Sequence, residues 1–127
     1  MKWLYAIVFI LLIAPVSFAV DHTQDSLSTI KKNIESKKAV LVDVREKSEW
    51  DDGHIQGAIF LPLSSLRDGI TKAEQKQLPK DKIIYLHCAV GFRAKVAANL
   101  LQKDNVKVKP VRHGYEELIE AGFQRED

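Results

Sequence analysis

Four short apolar runs divide the chain into regular units. Residues 39–42 (AVLV), 58–61 (AIFL) and 83–86 (IIYL) are continuously apolar, and residues 106–109 (VKVK) precede Pro110. Continuous runs of this length are typical of strands buried on both faces of a parallel sheet. The pattern predicts four strands, and the run before the proline is expected nearer an edge of the sheet.

Between these runs lie stretches with the spacing of helices. Leu27, Ile30 and Ile34 share one face of a first helix, which begins after an N-cap at Asp25 or Ser26. Further helices are predicted at residues 46–50, 64–70, 71–78, 93–102 and 115–121. Strands alternating with helices predict an α/β fold, with a doubly wound, mainly parallel sheet and helices on both faces.

The first 19 residues have the pattern of a secretory signal peptide. A positively charged start and the apolar residues 3–13 precede Pro15, Ser17 and Ala19, which predicts cleavage after Ala19. The alternative is an uncleaved membrane anchor, because residues 3–20 carry no charge and are just long enough to span a bilayer. Since the proline and the small residues favour cleavage, we expect a periplasmic protein with no stable membrane insertion afterwards.

Removal of this segment leaves residues 20–127, enough for one domain with one core. The formal net charge of +2 falls to +1 because Lys2 is lost, and a balance so near neutral argues against nucleic-acid binding. The four histidines and one cysteine show no metal-ligand spacing, and there is no glycine-rich nucleotide loop. We therefore expect no cofactor and no metal, and a monomer on grounds of size.

The only cysteine, Cys88, is the candidate reactive group. It follows the third apolar run and leads through a short loop into a helix, and Asp43 ends a neighbouring run in the same way. Ligands of doubly wound folds bind beyond the carboxyl ends of strands. Amide groups at a helix N-terminus, with Arg93 beside them, stabilise a thiolate. The alternative is a buried, inert cysteine, although an odd cysteine in an exported chain favours a reactive thiol or an intermolecular partner.

Three blocks of sequence carry a resemblance to a known family. Residues 41–58 contain LVDVR, EW and GHIQGA, residues 88–93 read CAVGFR, and residues 114–123 contain GYEEL and AGF. Their order and spacing resemble the signatures of rhodanese-homology domains, here of an exported bacterial type. The resemblance covers essentially the whole of residues 20–127 and implies a rhodanese-like fold.

The resemblance implies sulfur transfer of the thiosulfate:cyanide type. The thiolate of Cys88 would take a sulfane sulfur from thiosulfate or a persulfide donor and pass it to cyanide or a thiol, in two steps. Arg93 would orient the donor's sulfonate. The backbone of the loop would cradle the persulfide, and its residues are Ala89, Val90, Gly91, Phe92 and Arg93. A non-turnover persulfide carrier, or a binding module for a partner protein, is the alternative.

The length of this loop separates two chemistries within the family. Residues 88–93 make a six-residue loop, whereas the related phosphatases and arsenate reductases use a loop one residue longer that fits a tetrahedral oxyanion. Six residues favour sulfur over phosphate. Apart from Arg93 the loop is apolar, which leaves the affinity for thiosulfate open and leaves room for an organic persulfide donor.

Asp43 and Arg45 are candidates for supporting the loop. Asp43 would either carry charge near the donor or accept hydrogen bonds from neighbouring loops, and we favour the structural interpretation. For Arg45 we expect an ion pair with Glu46 or Glu49.

The histidines near these blocks are given structural interpretations. His54 would fix a turn rather than act as a base, because a thiolate stabilised by loop dipoles needs no general base. His87 would point away from the site, since successive strand side chains face opposite sides of a sheet. His113 stands where the family usually has glycine, and it lies with Arg112 either at the rim of the pocket or on the solvated surface.

Overall fold

The computed structural model describes residues 2–3, 6–13 and 19–127. Its centre is a four-stranded, fully parallel sheet in the order β3-β1-β4-β5. The strands are β1 Ala39–Asp43, β2 His54–Ile55, β3 Ile59–Phe60, β4 Ile83–His87, β5 Lys107–Pro110 and β6 Arg125–Glu126. The helices are α1 Leu27–Glu35, α2 Lys47–Asp51, α3 Leu63–Arg67, α4 Lys72–Gln77, α5 Phe92–Leu101 and α6 Tyr115–Glu120, with a 3-10 helix at Gln102–Asp104.

Helices cover both faces of the sheet, which confirms the predicted fold class. Side chains alternate along each strand, so that Val42 and Leu86 enter one core with α3 and α5. Leu41 and Tyr85 enter the other core with α1 and α6. The continuous apolar runs of β1 and β4 therefore reflect strands that bury both faces, whereas the run at residues 58–61 forms only the half-buried edge strand β3.

The predicted boundaries hold for the elements with strong local signals. Helix α1 begins after Ser26, whose hydroxyl accepts a hydrogen bond from the amide of Thr29 at 3.2 Å. The predicted helix at residues 64–70 is shorter, because α3 ends at Arg67 and Gly69 follows with a left-handed φ of 96°. At the edge of the sheet, β5 includes Pro110 rather than ending before it.

One element was not predicted from the sequence. Strands β2 and β6 pair antiparallel, His54 with Glu126 and Ile55 with Arg125. Two-residue strands are too short to produce a hydrophobic period, so the pairing depends on tertiary structure alone. It joins the C-terminus to the loop that follows α2.

The apolar N-terminal stretch lies outside the packed fold where it is described. Large side chains of residues 6–13 are exposed, as in Leu12, of which 92% is accessible. Within the described residues there is no helix with the length and apolarity to cross a bilayer. Pro15 and Ser17, on which the predicted cleavage depends, lie outside the described residues.

Candidate active site

The carboxyl ends of the two central strands place the candidate residues side by side. Strands β1 and β4 run in register, Asp43 pairs with His87, and the amide of Val44 donates to the carbonyl of His87 at 3.0 Å. Cys88 is the first residue beyond β4. Both predicted groups, Asp43 and Cys88, thus reach the same edge of the sheet, as expected for parallel strands.

The sulfur of Cys88 lies at the floor of a backbone cradle. Its side chain is fully buried. The amide of Gly91 donates to Sγ at 3.0 Å, and the amide of Ala94 does so at 3.4 Å. Both amides belong to the free N-terminal end of α5, which lacks intrahelical partners and carries partial positive charge. The cradle therefore stabilises negative charge on this sulfur.

Two glycines allow the loop to take this shape. Gly91 has φ 92°, in the left-handed region, and a Cβ there would lie 2.5 Å from the carbonyl oxygen of Arg112. Gly114 has an ordinary φ, but a Cβ there would overlap the carbonyl oxygen of Ala89. Next to it, the amide of Tyr115 donates to the carbonyl of Cys88 at 3.0 Å. The segment before α6 therefore lies directly against the loop.

Arg93 is held by a carboxylate on α2. Its Nη1 and Nη2 donate to Oε1 and Oε2 of Glu49 at 2.6 and 2.8 Å, a bidentate pair that is about one-third exposed. The hydrogen bonds from Arg93 lower the pKa of the Glu49 carboxyl to about 2, although partial burial opposes the shift. The guanidinium of Arg93 is thus already paired with a carboxylate.

Arg45 pairs with Asp43, so the predicted pairing with Glu46 or Glu49 is wrong. Nε and Nη2 of Arg45 donate to the Asp43 carboxylate at 2.9–3.1 Å, and Nη2 also donates to the carbonyl of Gly53 at 2.8 Å. The guanidinium lies 4.1 Å from the centre of the Tyr115 ring. Because the amide of Tyr115 holds the carbonyl of Cys88, the Asp43–Arg45 pair supports the loop through α6.

His87 faces away from Cys88, as predicted. It is fully buried on the side of the sheet that carries Tyr115, and its Nε2 lies 3.5 Å from Oδ2 of Asp43. Among the described residues neither ring nitrogen has a hydrogen-bond partner. Burial lowers the pKa of His87 to about 4, although the Asp43 carboxylate opposes the shift. The imidazole is therefore neutral at pH 7 and does not act on the thiol.

Two exposed apolar side chains of the loop, Val90 and Phe92, are here called the apolar collar. These side chains are 78% and 71% exposed. Beyond them, Arg112 is exposed and His113 half-buried. His54 lies in β2 rather than in the predicted turn, where its Nδ1 is 3.0 Å from the carbonyl oxygen of Trp50. Its ring stacks on the Trp50 ring at 3.6 Å, in agreement with a structural role.

Comparison with known proteins assigns the family. The family description "Rhodanese-like domain" matches residues 26–121. The chain belongs to this family. A rhodanese-related protein from Thermoplasma volcanium has a TM-score of 0.65 and 30% identity, covering 79% of this chain and 93% of that one.

Two curated relatives extend the comparison. The uncharacterized protein YqhL of Bacillus subtilis is 41% identical over 68 residues, which are 54% of this chain and 50% of that protein. The probable adenylyltransferase/sulfurtransferase MoeZ of Mycobacterium tuberculosis is 37% identical over 67 residues, 53% of this chain and 16% of that protein. The chain thus spans half or less of the length of these two relatives.

The rhodanese-like site contains three residues that the sequence did not indicate. Ala94 supplies the second amide to Sγ, and counting from Gly91 as N-cap would have identified it as a free donor. Glu49 holds Arg93 from a different helix, and no spacing in the sequence indicates that contact. Gly114 contacts Ala89 from a distant segment. The amides of Ala89, Val90, Phe92 and Arg93, which were expected in the cradle, make no contact with Sγ among the hydrogen bonds of the described residues.

Replacement of Gly114 tests the contact between α6 and the loop. Gly114→Ala should destabilise the protein by about 1–3 kcal/mol, because the added methyl group meets the backbone of Ala89. It should also slow alkylation of Cys88 by iodoacetamide. The matched control is Gly69→Ala, where a Cβ meets nothing within 4 Å and only the left-handed φ is strained. Urea denaturation and alkylation rates measure both effects, and equal alkylation rates in the two variants would contradict the proposed contact.

The ion pair between Glu49 and Arg93 predicts that the stability of the fold depends on pH. Because its pKa is lowered from 4.5 to about 2 in the folded state, the pair stabilises the protein above pH 4.5 and loses this contribution as the pH falls towards 2. Wild type should exceed Glu49→Gln in stability by about 0.5–1 kcal/mol at pH 7, a value discounted for solvent screening. The difference should vanish near pH 2. Thermal unfolding across this range measures it, with Asp51→Asn, in an exposed pair with Lys47, as a control expected to change little.

Proposed function

We propose that the protein is a sulfurtransferase that moves a sulfane sulfur through a persulfide on Cys88. The observation that carries the proposal is the buried Sγ beneath the amides of Gly91 and Ala94. Such a cradle stabilises a thiolate before reaction, and it stabilises the same charge when the thiolate is regenerated. Membership of the rhodanese-like family and the sulfurtransferase named among its relatives support this chemistry.

In the first step the thiolate of Cys88 attacks the outer sulfur of a donor. With thiosulfate, a new S–S bond forms at Sγ, the S–S bond of the donor breaks, and its electron pair leaves with sulfite. The persulfide keeps the negative charge on its terminal sulfur. No general base is needed, in agreement with the neutral, turned-away His87.

In the second step a thiophilic acceptor takes that terminal sulfur. Cyanide attacks it, the S–S bond to Sγ breaks, and the electron pair returns to Cys88 as the thiolate, with thiocyanate released. A thiol acceptor would follow the same course and carry the sulfur away as its own persulfide. Separate donor and acceptor steps predict ping-pong kinetics.

The surroundings of the cradle bear on the choice of donor. The terminal sulfur of a persulfide lies about 2 Å beyond Sγ, and the exposed side chains of the loop, Val90 and Phe92, are apolar. The positive charge of Arg93, which would attract a sulfonate, is already paired with Glu49. Both features favour a persulfide donor of low charge over the thiosulfate dianion. The six-residue loop favours sulfur over phosphate.

Transfer of sulfur to Cys88 can be measured directly by intact mass. Incubation of the purified protein with thiosulfate or a low-molecular-weight persulfide should add the mass of one sulfur atom, and cyanide should remove it with formation of thiocyanate. Cys88→Ala should show neither change. A stable persulfide without turnover would identify a carrier, and failure of both donors to add sulfur to the thiol would overturn the proposal.

We also propose that residues 1–19 direct export and are removed. The apolar side chains before the fold are exposed, which supports this proposal. The first contact with the fold also lies just beyond the predicted cleavage point, where the amide of Val20 donates to Oδ1 of Asn99 at 2.9 Å. Protein recovered from the periplasm of an expressing bacterium should begin at Val20 by N-terminal sequencing. Ala19→Arg should block cleavage and leave the longer chain in the membrane fraction. A wild-type chain that keeps Met1 in the membrane would instead identify an anchor.

A further inference from the structure

A short segment before α1 reaches the reactive loop from outside the rhodanese signature blocks. Residues 20–25, here called the N-terminal strap, run from α5 to β5. The side chain of Val20 packs against the core on the α5 face, and its amide donates to Asn99. Three residues later the amide of Thr23 donates to the carbonyl of Pro110 at 2.8 Å. The strap is therefore anchored on both sides of His22.

The far end of the strap is fixed by a carboxylate. Asp25 accepts hydrogen bonds from the hydroxyl of Tyr85 at 2.7 Å and from Nζ of Lys109 at 3.1 Å. These contacts lower the pKa of Asp25, the hydrogen bond from Tyr85 most of all. The carboxylate therefore stays ionised and joins the strap to β4 and β5 over the neutral pH range. The position of His22 is thus determined by contacts with the sheet and α5.

His22 contacts the backbone of the residue that holds the sulfur. Its Nε2 donates to the carbonyl of Gly91 at 2.8 Å. From within the helix, the amide of Lys95 also donates to that carbonyl, at the longer distance of 3.4 Å. The shorter of the two hydrogen bonds to this oxygen therefore comes from the strap.

Gly91 is consequently held on three sides. Its amide points to Sγ of Cys88, its Cα lies against the carbonyl of Arg112, and its carbonyl accepts from His22. Glycine has little conformational preference of its own, so the left-handed geometry that aims the amide depends on these neighbours. Loss of the His22 contact frees the carbonyl and loosens the amide on the sulfur.

We propose that His22 is a positioning residue for the Cys88 cradle, so that the N-terminal strap is part of the active site. Its contribution to sulfur transfer rests on the function proposed above, whereas its effect on thiol reactivity does not. The imidazole acts through the peptide of Gly91 and has no direct contact with Sγ among the hydrogen bonds of the described residues. Because Nε2 carries a hydrogen in the imidazolium and in one neutral tautomer, either form can make this contact.

The test compares side chains of similar size with and without a donor. His22→Leu removes the hydrogen bond, whereas the amide of His22→Gln can replace it. Alkylation of Cys88 by iodoacetamide at neutral pH should slow about 3- to 10-fold in His22→Leu, as expected for loss of one hydrogen bond. It should return towards the wild-type rate in His22→Gln. Asp51→Asn is the control, since this exposed side chain pairs with Lys47 on α2 and lies outside both the strap and the loop.

Rescue by glutamine separates positioning from a general loss of stability. Thermal unfolding of each variant shows whether the fold is kept, and His22→Ala replaces the leucine variant if that variant does not fold. Slow alkylation in the donor-free variant with recovery in His22→Gln supports the proposal. Wild-type rates in a folded donor-free variant, or equal slowing in the leucine and glutamine variants, would overturn it.

The same variants separate this inference from the proposed function. Persulfide formation with thiosulfate or an organic persulfide is measured by intact mass beside the alkylation rates. If wild type never gains sulfur but His22→Leu alkylates slowly, sulfur transfer is wrong and the positioning role stands. If wild type gains sulfur and His22→Leu matches it in both assays, the role of His22 is wrong and sulfur transfer stands.

Discussion

The parallel register between β1 and β4 determines the geometry on which the site depends. It brings the ends of both strands to one edge of the sheet, with Asp43 opposite His87 and Cys88 one residue beyond. From that edge the chain turns at Gly91 into α5, whose first free amides meet the sulfur. A shift of one residue would turn His87 rather than Cys88 towards α5, because neighbouring strand residues face opposite sides.

Charge at the site is arranged so that Arg45 and Arg93 are each already paired with a carboxylate. Arg45 is joined to Asp43 beneath α6, and Arg93 is joined to Glu49 at the surface. The groups aimed at the sulfur itself are uncharged amides. They belong to the N-terminal end of α5 and already point at Sγ, so they need little reorganisation when negative charge moves to or from the sulfur. An anion on this sulfur would thus be stabilised mainly by backbone dipoles, while Arg45 and Arg93 support the surrounding loops.

Local patterns in the sequence were sufficient for the parts that are locally determined. The apolar runs of β1 and β4, a helix cap at Asp25 or Ser26, and the order of the helices and of the four strands in the parallel sheet were all predictable, and so was the place of Cys88 at a strand end. The sequence did not predict that Arg45 pairs with Asp43. The carboxylates of Asp43, Glu46 and Glu49 all lie within reach of Arg45 along the sequence, so that spacing alone does not choose between them. The β2–β6 pair and the contact of Gly114 with Ala89 join distant segments through few residues. Such contacts leave no periodic signal.

His87 links the folded state to the acidity of its surroundings. It is a base enclosed in the core, where burial lowers its pKa from 6.5 to about 4. Between these values the unfolded chain binds a proton that the folded chain does not, so stability falls as the pH drops from about 6.5 to 4. In a compartment whose pH changes with that of the surroundings, acid would therefore protonate the buried His87 whenever the protein unfolds. Acid then acts as a ligand of the unfolded state, at a residue next to Cys88 but on the other face of the sheet.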